Sequence, residues 1–227
     1  MATIQLYDKL QQFQLFQGMG RGELMQVVSK TKFDFIKVSA GKRIIKEGDR
    51  CDRLLLLLNG TIRTETTAAD NSYTVYEEHT APYIFAPESL FGLSQRYMSA
   101  YYAETDTSII AIDKHEIATL SDTLTIFRIN MLNMLTTQTQ RLLNRPWNRC
   151  PRTLQERITR FFTARCTRPA GRKVFKIRMT QLAAELNDSR INISIALNGM
   201  QADGLIKLNR GTITIPKLEK VIGAMNG

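Results

Sequence analysis

The sequence predicts an α+β chain: an N-terminal antiparallel β-barrel or jelly roll, a long central helix, and a small C-terminal domain of short helices closed by a β-hairpin. Three observations predict it. Apolar residues recur at every second position or in short unbroken runs from Phe33 to Ile112, and from about Lys114 they shift to steps of three and four. Asn144-Arg145-Pro146-Trp147 then breaks the helical pattern, because proline cannot make the helix-interior hydrogen bond and disfavours α geometry in the residue before it. With 227 residues and 43% apolar content, the chain has material for two ordinary domains.

After a helical start over Leu15 to Ser29, the runs FDFIKV, KRIIKEGD, RLLLLLNGTIRTETT, YTVYEEH, YIFAP and SAYYAETDTSIIAID read as strands punctuated by Gly41, Gly48-Asp49 and Asn59-Gly60. Asn59-Gly60 is the strongest turn signal, and the alternation in Thr61 to Thr66 implies a strand with one wet face, followed by a polar hairpin tip at Ala68 to Ser72. Leu120, Leu124, Phe127, Met131, Met134 and Gln138 form a narrow stripe along the central helix, the seam expected of a helix that dimerises. The break at Asn144 to Trp147 divides a domain over residues 1–142 from one over 147–227 and supplies a hinge between them. The second domain reads as helix (Thr153 to Arg165), strand (Lys173 to Ile177), helix (Thr180 to Leu186), helix (Ser189 to Ala202), then a hairpin around Asn209-Arg210-Gly211.

Charge is divided as sharply as hydropathy. Residues 1–140 hold 14 basic and 16 acidic side chains, whereas 141–227 hold 17 basic and 5 acidic, so all of the net +10 lies in the last third. A field segregated in this way draws a polyanion to one module and leaves the other free for a different task. Three cysteines without a CxxC and two histidines build neither a disulfide framework nor a metal-ligand set. The stretch from Ala2 to Gln17 lacks the basic and apolar regions of a signal peptide, and Leu54 to Leu58 is far shorter than the ~20 residues that span a bilayer. A cytoplasmic chain without membrane association is expected. Ser99, Asp106 and His115 include triad residue types, but no G-x-S-x-G elbow accompanies them, and no enzymatic activity is expected.

In MTQLAAELNDSRINISIALNGMQADGLIKL two short helices flank a tight turn. Leu182, Ala183, Leu186, Ile193, Leu197 and Met200 are spaced to meet in one core, and Ser189 is placed to cap the second helix. This is a helix-turn-helix pattern with a wing. Arg190, Ile191, Asn192 and Ser194 then face base edges: arginine suits guanine O6 and N7, asparagine suits adenine N6 and N7, and an outward isoleucine suits thymine methyls. Ser189, Thr180, Lys173, Lys176, Arg178, Lys207 and Arg210 are candidate phosphate contacts, with Arg210 at the hairpin tip the foremost.

From about Leu15 to Val221 this order resembles the Crp/Fnr family of bacterial transcription regulators. The resemblance is carried by AGKRIIKEGDRCDRLLLLLNGTIR, with Gly41, Gly48, Asp49 and Gly60 at recurrent turn positions. It is carried more strongly by DSRINISIALNGMQADGLIKLNRGTITI, with Ser189, Arg190, Ala196, Leu197, Gly204, Leu205, Ile206 and Gly211 in family positions. It implies a cyclic-nucleotide-binding-like barrel and a homodimer on two-fold-related sites in double-stranded DNA, with RNA polymerase as a further candidate partner. The departures bear on mechanism. Where cyclic-nucleotide binders carry Phe-Gly-Glu, this chain has Phe85-Ala86-Pro87, and Arg96 is followed by tyrosine rather than by serine or threonine. Pro87 lacks an N–H, Ala86 resists the positive φ open to glycine, and no carboxylate stands at the glutamate place, so cyclic AMP is disfavoured. The first fifty residues hold no cysteine, so no iron–sulfur cluster is expected. The effector is left unidentified, with Phe85, Phe91, Arg96 and Tyr101 as candidate pocket residues. Ile191 and Ile195 stand where many relatives have glutamate and a second arginine, so the family half-site does not carry over. The leading reading is a sequence-specific regulator; the alternative is an effector-independent structural or non-specific nucleic-acid-binding protein.

Overall fold

A computed structural model describes residues 2–144 and 150–225, which divide into two compact units. The first comprises residues 1–62 and 79–147, the second 63–78 and 148–227. The second unit therefore takes a hairpin from the middle of the N-terminal sequence.

In the first unit, helices α1 (Ala2–Leu10) and α2 (Arg21–Lys30) precede β1 (Phe33–Val38), β2 (Arg43–Ile45) and β3 (Arg53–Asn59). Strands β4 (Thr61–Thr67) and β5 (Tyr73–Thr80) follow, then β6 (Tyr83–Phe85), β7 (Ala100–Ala103) and β8 (Thr107–Asp113). One sheet runs in the order β1-β8-β3-β6, and β2 pairs with β7 apart from it. Leu54, Leu55, Leu56 and Leu57 are all buried, which is why β3 reads as an unbroken apolar run: both faces of this strand are covered.

The expected barrel or jelly roll does not form. A barrel requires every strand to be partnered on both edges, yet β1 and β6 are the edges of an open sheet. Asn59-Gly60 is correspondingly not the tip of a β3–β4 hairpin; β3 pairs with β8 and β6, and the chain leaves that sheet at Gly60. The glycine is obligatory there. At φ +97, a Cβ would lie 2.7 Å from the Asp106 carbonyl oxygen.

Helices α3 (Lys114–Thr123) and α4 (Thr125–Asn144) replace the single helix expected, Leu124 having extended geometry between them. The stripe read as a dimer seam is spent within the unit. Leu120, Leu124, Phe127 and Met131 are buried in the core, Met134 packs against it, and Gln138 is half-buried. Phe127 meets Phe16 at 5.5 Å, and the Asn130 amide donates to the carbonyls of Leu15 and Gln17 at 3.2 and 2.8 Å. Of the hinge, residues 145–147 lie outside the described residues.

The second unit contains α5 (Leu154–Ala164), β9 (Lys173–Ile177), α6 (Met179–Glu185), α7 (Arg190–Ala202), β10 (Lys207–Asn209), β11 (Thr212–Ile215) and α8 (Leu218–Met225). Thr153 and Glu156 form a reciprocal capping box that starts α5. Strands pair in the order β10-β11-β9-β5, with β4 on the far side of β5. Glu77 lies opposite Lys173 in the β5–β9 ladder, and their side chains form a buried ion pair of 2.6 Å. Thr167 donates to the same carboxylate through its N–H and its hydroxyl, at 2.8 and 3.0 Å.

Removing one member of a buried pair strands the other charge away from water. Glu77→Gln should therefore lower the stability of the second unit by about 3–5 kcal/mol in urea unfolding, whereas the apolar pair Glu77→Leu with Lys173→Met should recover most of the loss.

Candidate nucleic-acid interface

Each turn of the helix-turn-helix has a local cause. α6 ends at Asn187, in left-handed geometry at φ 48; the Asn187 N–H donates to the Ala184 carbonyl and the Asp188 N–H to that of Ala183. Ser189 caps α7, its hydroxyl accepting from the Asn192 N–H at 3.1 Å. α7 ends at Gly204, with φ 70, where the Leu205 N–H reaches back to the Met200 carbonyl at 3.0 Å. The buried side of α7 is Ile193, Ala196, Leu197 and Met200, packed with Leu182 and Ala183. The sequence marks all of these but Ala196; Leu186, which it also marks, is partly buried against the same core, and burying this face turns Arg190, Ile191 and Asn192 to solvent.

Asp188 organises the turn. Its carboxylate accepts from the Asn192 amide at 2.9 Å, from the Ser189 N–H at 2.8 Å and from Arg157 at 2.9 Å. The Asn192 hydrogen bond first, then the Ser189 N–H and Arg157, hold this carboxyl below the usual carboxylate range. The other arm of Arg157 donates to the Leu186 carbonyl, so one side chain of α5 grips both ends of the turn. Sequence reasoning missed this residue because nothing local separates Arg157 from Arg160, the other arginine of α5.

Among the predicted base-facing residues, Arg190, Ile191 and Asn192 are exposed and Ser194 is half-buried. Asn192 keeps its carbonyl and one amide N–H beyond the bond to Asp188. Thr180, Lys176, Arg178, Lys207 and Arg210 are exposed, Arg210 beside Gly211 at the tip between β10 and β11. The Ser189 hydroxyl is engaged as the cap. Lys173 requires a correction: it is 1% exposed and bound to Glu77, out of reach of any phosphate in this structure.

In the first unit the four candidate pocket residues make three separate contacts. Phe85 and Tyr101 are buried with ring centroids 5.1 Å apart, Phe91 lies at the surface under the Lys114 ammonium, and Arg96 donates to the Gly48 carbonyl at 2.8 Å. The rings of Tyr83 and Tyr97 extend the Phe85–Tyr101 pair. Burial pushes the Tyr101, Tyr97 and Cys51 side chains up from their ordinary pKa values, so all three stay protonated at neutral pH. Ala86, expected to resist a positive φ, adopts φ 34, with Pro87 beginning a short 3₁₀ turn. Among the described residues no cluster of three or more His, Cys, Asp or Glu could hold a metal ion, and no helix is long and apolar enough to cross a membrane.

Residues 35–123 match the model of the cyclic nucleotide-binding domain, and residues 156–222 match that of the Crp-like helix-turn-helix domain. The fold is similar to that of a chain from Eubacterium rectale described as a transcriptional regulator of the crp/fnr family. That match has a TM-score of 0.51 and 18% identity, covering 95% of this chain and 99% of the other. It is also similar to the sensor domain of the transcriptional regulator DNR from Pseudomonas aeruginosa, with a TM-score of 0.54 and 16% identity over 67% of this chain and 99% of that domain. The catabolite activator protein of Thermus thermophilus matches with a TM-score of 0.47 and 21% identity, over 94% of this chain and all of the other. No match was found among curated proteins.

Replacing the cap, Ser189→Ala, should cost about 1 kcal/mol of stability. A carboxyl held low in the folded state contributes stability that is complete above its unfolded pKa and is lost as pH falls through the folded one. The stability difference between the native chain and Asp188→Ala should thus be constant near neutrality and shrink below the ordinary aspartate range, as read from urea midpoints across pH.

Proposed function

From the premise that the chain belongs to the Crp/Fnr family, as a sequence-specific DNA-binding transcription regulator with a sensor-like N-terminal domain, we propose that it binds two-fold-related DNA as a homodimer and answers a signal other than a cyclic nucleotide. In this reading residues 1–142, apart from the hairpin at 63–78, form the sensing and dimerising domain, and residues 147–227 together with that hairpin form the DNA-binding domain. The observation that carries it is α7. This helix is capped by Ser189, fixed by Asp188 and Arg157, buried along one side, and presents Arg190, Ile191 and Asn192 on the other, within residues 141–227, which hold the whole basic excess.

Arg190 reads guanine, Asn192 reads adenine, Ile191 meets a thymine methyl, and Ser194 contributes from the edge of the same face. Lys176, Arg178, Lys207, Arg210 and Thr180 meet phosphates, and so fix the register of the module without reading sequence. Ser189 contributes by its cap, and Lys173 is outside this set.

Dimerisation uses a stripe other than the buried one. Ile129, Leu132, Thr136, Thr139 and Leu143 follow steps of three and four along α4, and all five are exposed. The Thr136 and Thr139 hydroxyls donate back to the Leu132 and Leu135 carbonyls, which leaves their methyl groups to line the stripe. The departure from cyclic nucleotides rests on Pro87, which has no N–H to give a phosphate, and on Arg96, whose guanidinium is directed at Gly48.

Selection from a random duplex pool should return an inverted repeat with half-sites about 10–11 base pairs apart, bound at least ~1,000-fold better than scrambled DNA. Enrichment of no sequence, with only steep salt dependence, would instead mark a non-specific binder. Lys176→Met and Arg210→Met should each lower the slope of log K against log salt by about one, and the paired change Glu77→Leu with Lys173→Met, which strands no buried charge, should leave that slope unchanged. Leu132→Asp should yield a monomer in sedimentation and weaken binding to the full repeat.

A further inference from the structure

Among the described residues of the second unit, only two large apolar side chains are exposed, Ile191 at 72% and Ile195 at 66%. Both are on α7, four residues apart, and therefore one above the other on the side opposite the buried Ile193, Leu197 and Met200. Packing within the unit does not explain them, since the core is complete without either. A helix that had only to attract phosphates would have no use for β-branched aliphatic side chains in the middle of its outer face.

The surroundings identify what covers the pair. Arg190, Asn192 and Asn198 are exposed on the same helix, and Arg178 and Thr180 are exposed at the preceding one. An apolar protein surface fits such a polar and cationic frame poorly. The major groove fits it well: a polyanionic wall, polar base edges, and one apolar group, the C5 methyl of thymine. Four residues of helix rise about 6 Å, close to two base-pair steps of about 3.4 Å each.

We propose that Ile191 and Ile195 together read two thymine methyls in each half-site, so that the chain recognises part of its operator by hydrophobic contact. This rests on the DNA-reading assignment of α7 and goes beyond it by adding Ile195 and by naming the atoms recognised.

The test uses the full-length protein and its selected repeat. Each thymine of a half-site is replaced singly by deoxyuridine, which removes one methyl and no hydrogen-bonding group, and affinity is measured for the native chain, Ile191→Ala, Ile195→Ala and Arg190→Ala. Both isoleucines are exposed, and alanine is the better helix former, so the variants should fold; circular dichroism checks this. Two positions should show a loss of about fourfold in the native chain, from one buried methyl each. Ile191→Ala should abolish the loss at one position, Ile195→Ala should abolish it at the other, and Arg190→Ala should abolish neither. Deoxyuridine tolerated at every thymine, or losses that persist unchanged in both isoleucine variants, would overturn the proposal while leaving a sequence-specific binder. Isoleucine variants that bind the repeat like the native chain would also overturn it and would turn the search toward a protein partner. Failure of the selection to yield any repeat is a different result, and it sinks the underlying DNA-reading assignment.

Discussion

The second unit depends on one buried ion pair. Glu77 and Lys173 are 96 residues apart in sequence and face each other across the β5–β9 ladder at 2.6 Å, with side chains almost wholly withdrawn from water. Such a pair gains little over a well-packed apolar one, but it discriminates strongly between registers. A slip of one residue in β5 would turn Glu77 to the other face, away from Lys173, and leave its carboxylate without Thr167. With the register fixed, β9 is an interior strand between β11 and β5. Val75 and Tyr73 of the hairpin then pack with Phe161 and Phe175 in the core that also supports α7. α7 therefore stands on a sheet that the C-terminal sequence alone does not complete.

This dependence explains which parts of the chain were legible. The helix-turn-helix follows from local signals: the apolar spacing of Leu182 to Met200, the cap at Ser189, the asparagine at a left-handed position and the glycine that ends α7. All four act within a few residues of where they are read. The partner of β5 lies far along the chain, and no local pattern announces it. Lys173 did carry a signal that was passed over. In the five residues of β9, Lys173 shares its face with Phe175 and Ile177, and alternation alone puts it inside, with Lys176 outside. Glu77 likewise shares a face with Val75 and His79. Two charges on the inner faces of two strands are a reason to pair the strands.

The central helix shows a different limit. The stripe from Leu120 to Met131 is a real seam, but periodicity identifies a face that will be buried and does not say by what. Phe16 and the carbonyls of Leu15 and Gln17 supply the cover, from a segment whose pattern reads as the start of a helix but which forms a short 3₁₀ turn, Gln14–Phe16, ahead of α2. The second stripe is diluted by Thr136 and Thr139, which count as polar until their hydroxyls are seen to bond within the helix. In the sensor-like unit, Ala86 keeps the left-handed backbone that a glycine would hold without strain, at a cost of roughly 1–2 kcal/mol. Pro87 then begins the 3₁₀ turn, and the neighbouring Phe85 ring packs on Tyr101.

A net charge of +12 over residues 141–227 is ample for holding DNA, and the same abundance creates a problem of discrimination, because phosphate is identical at every step of the duplex. Each cation raises affinity for right and wrong sites alike. Selectivity has to come from the few side chains that α7 presents beyond its buried face, and these are held to a narrow geometry. Arg157 and Asp188 fix where the helix starts, the Ser189 cap fixes its first turn, and the core residues fix its rotation. Apolar side chains suit a helix held in this way. An isoleucine gains nothing from a phosphate and loses nothing by leaving water for a methyl group, so its contribution differs between sequences even where the field does not. In the proposed reading the cationic frame and the apolar centre are complementary for that reason: the first supplies attraction without information, and the second supplies information with little attraction.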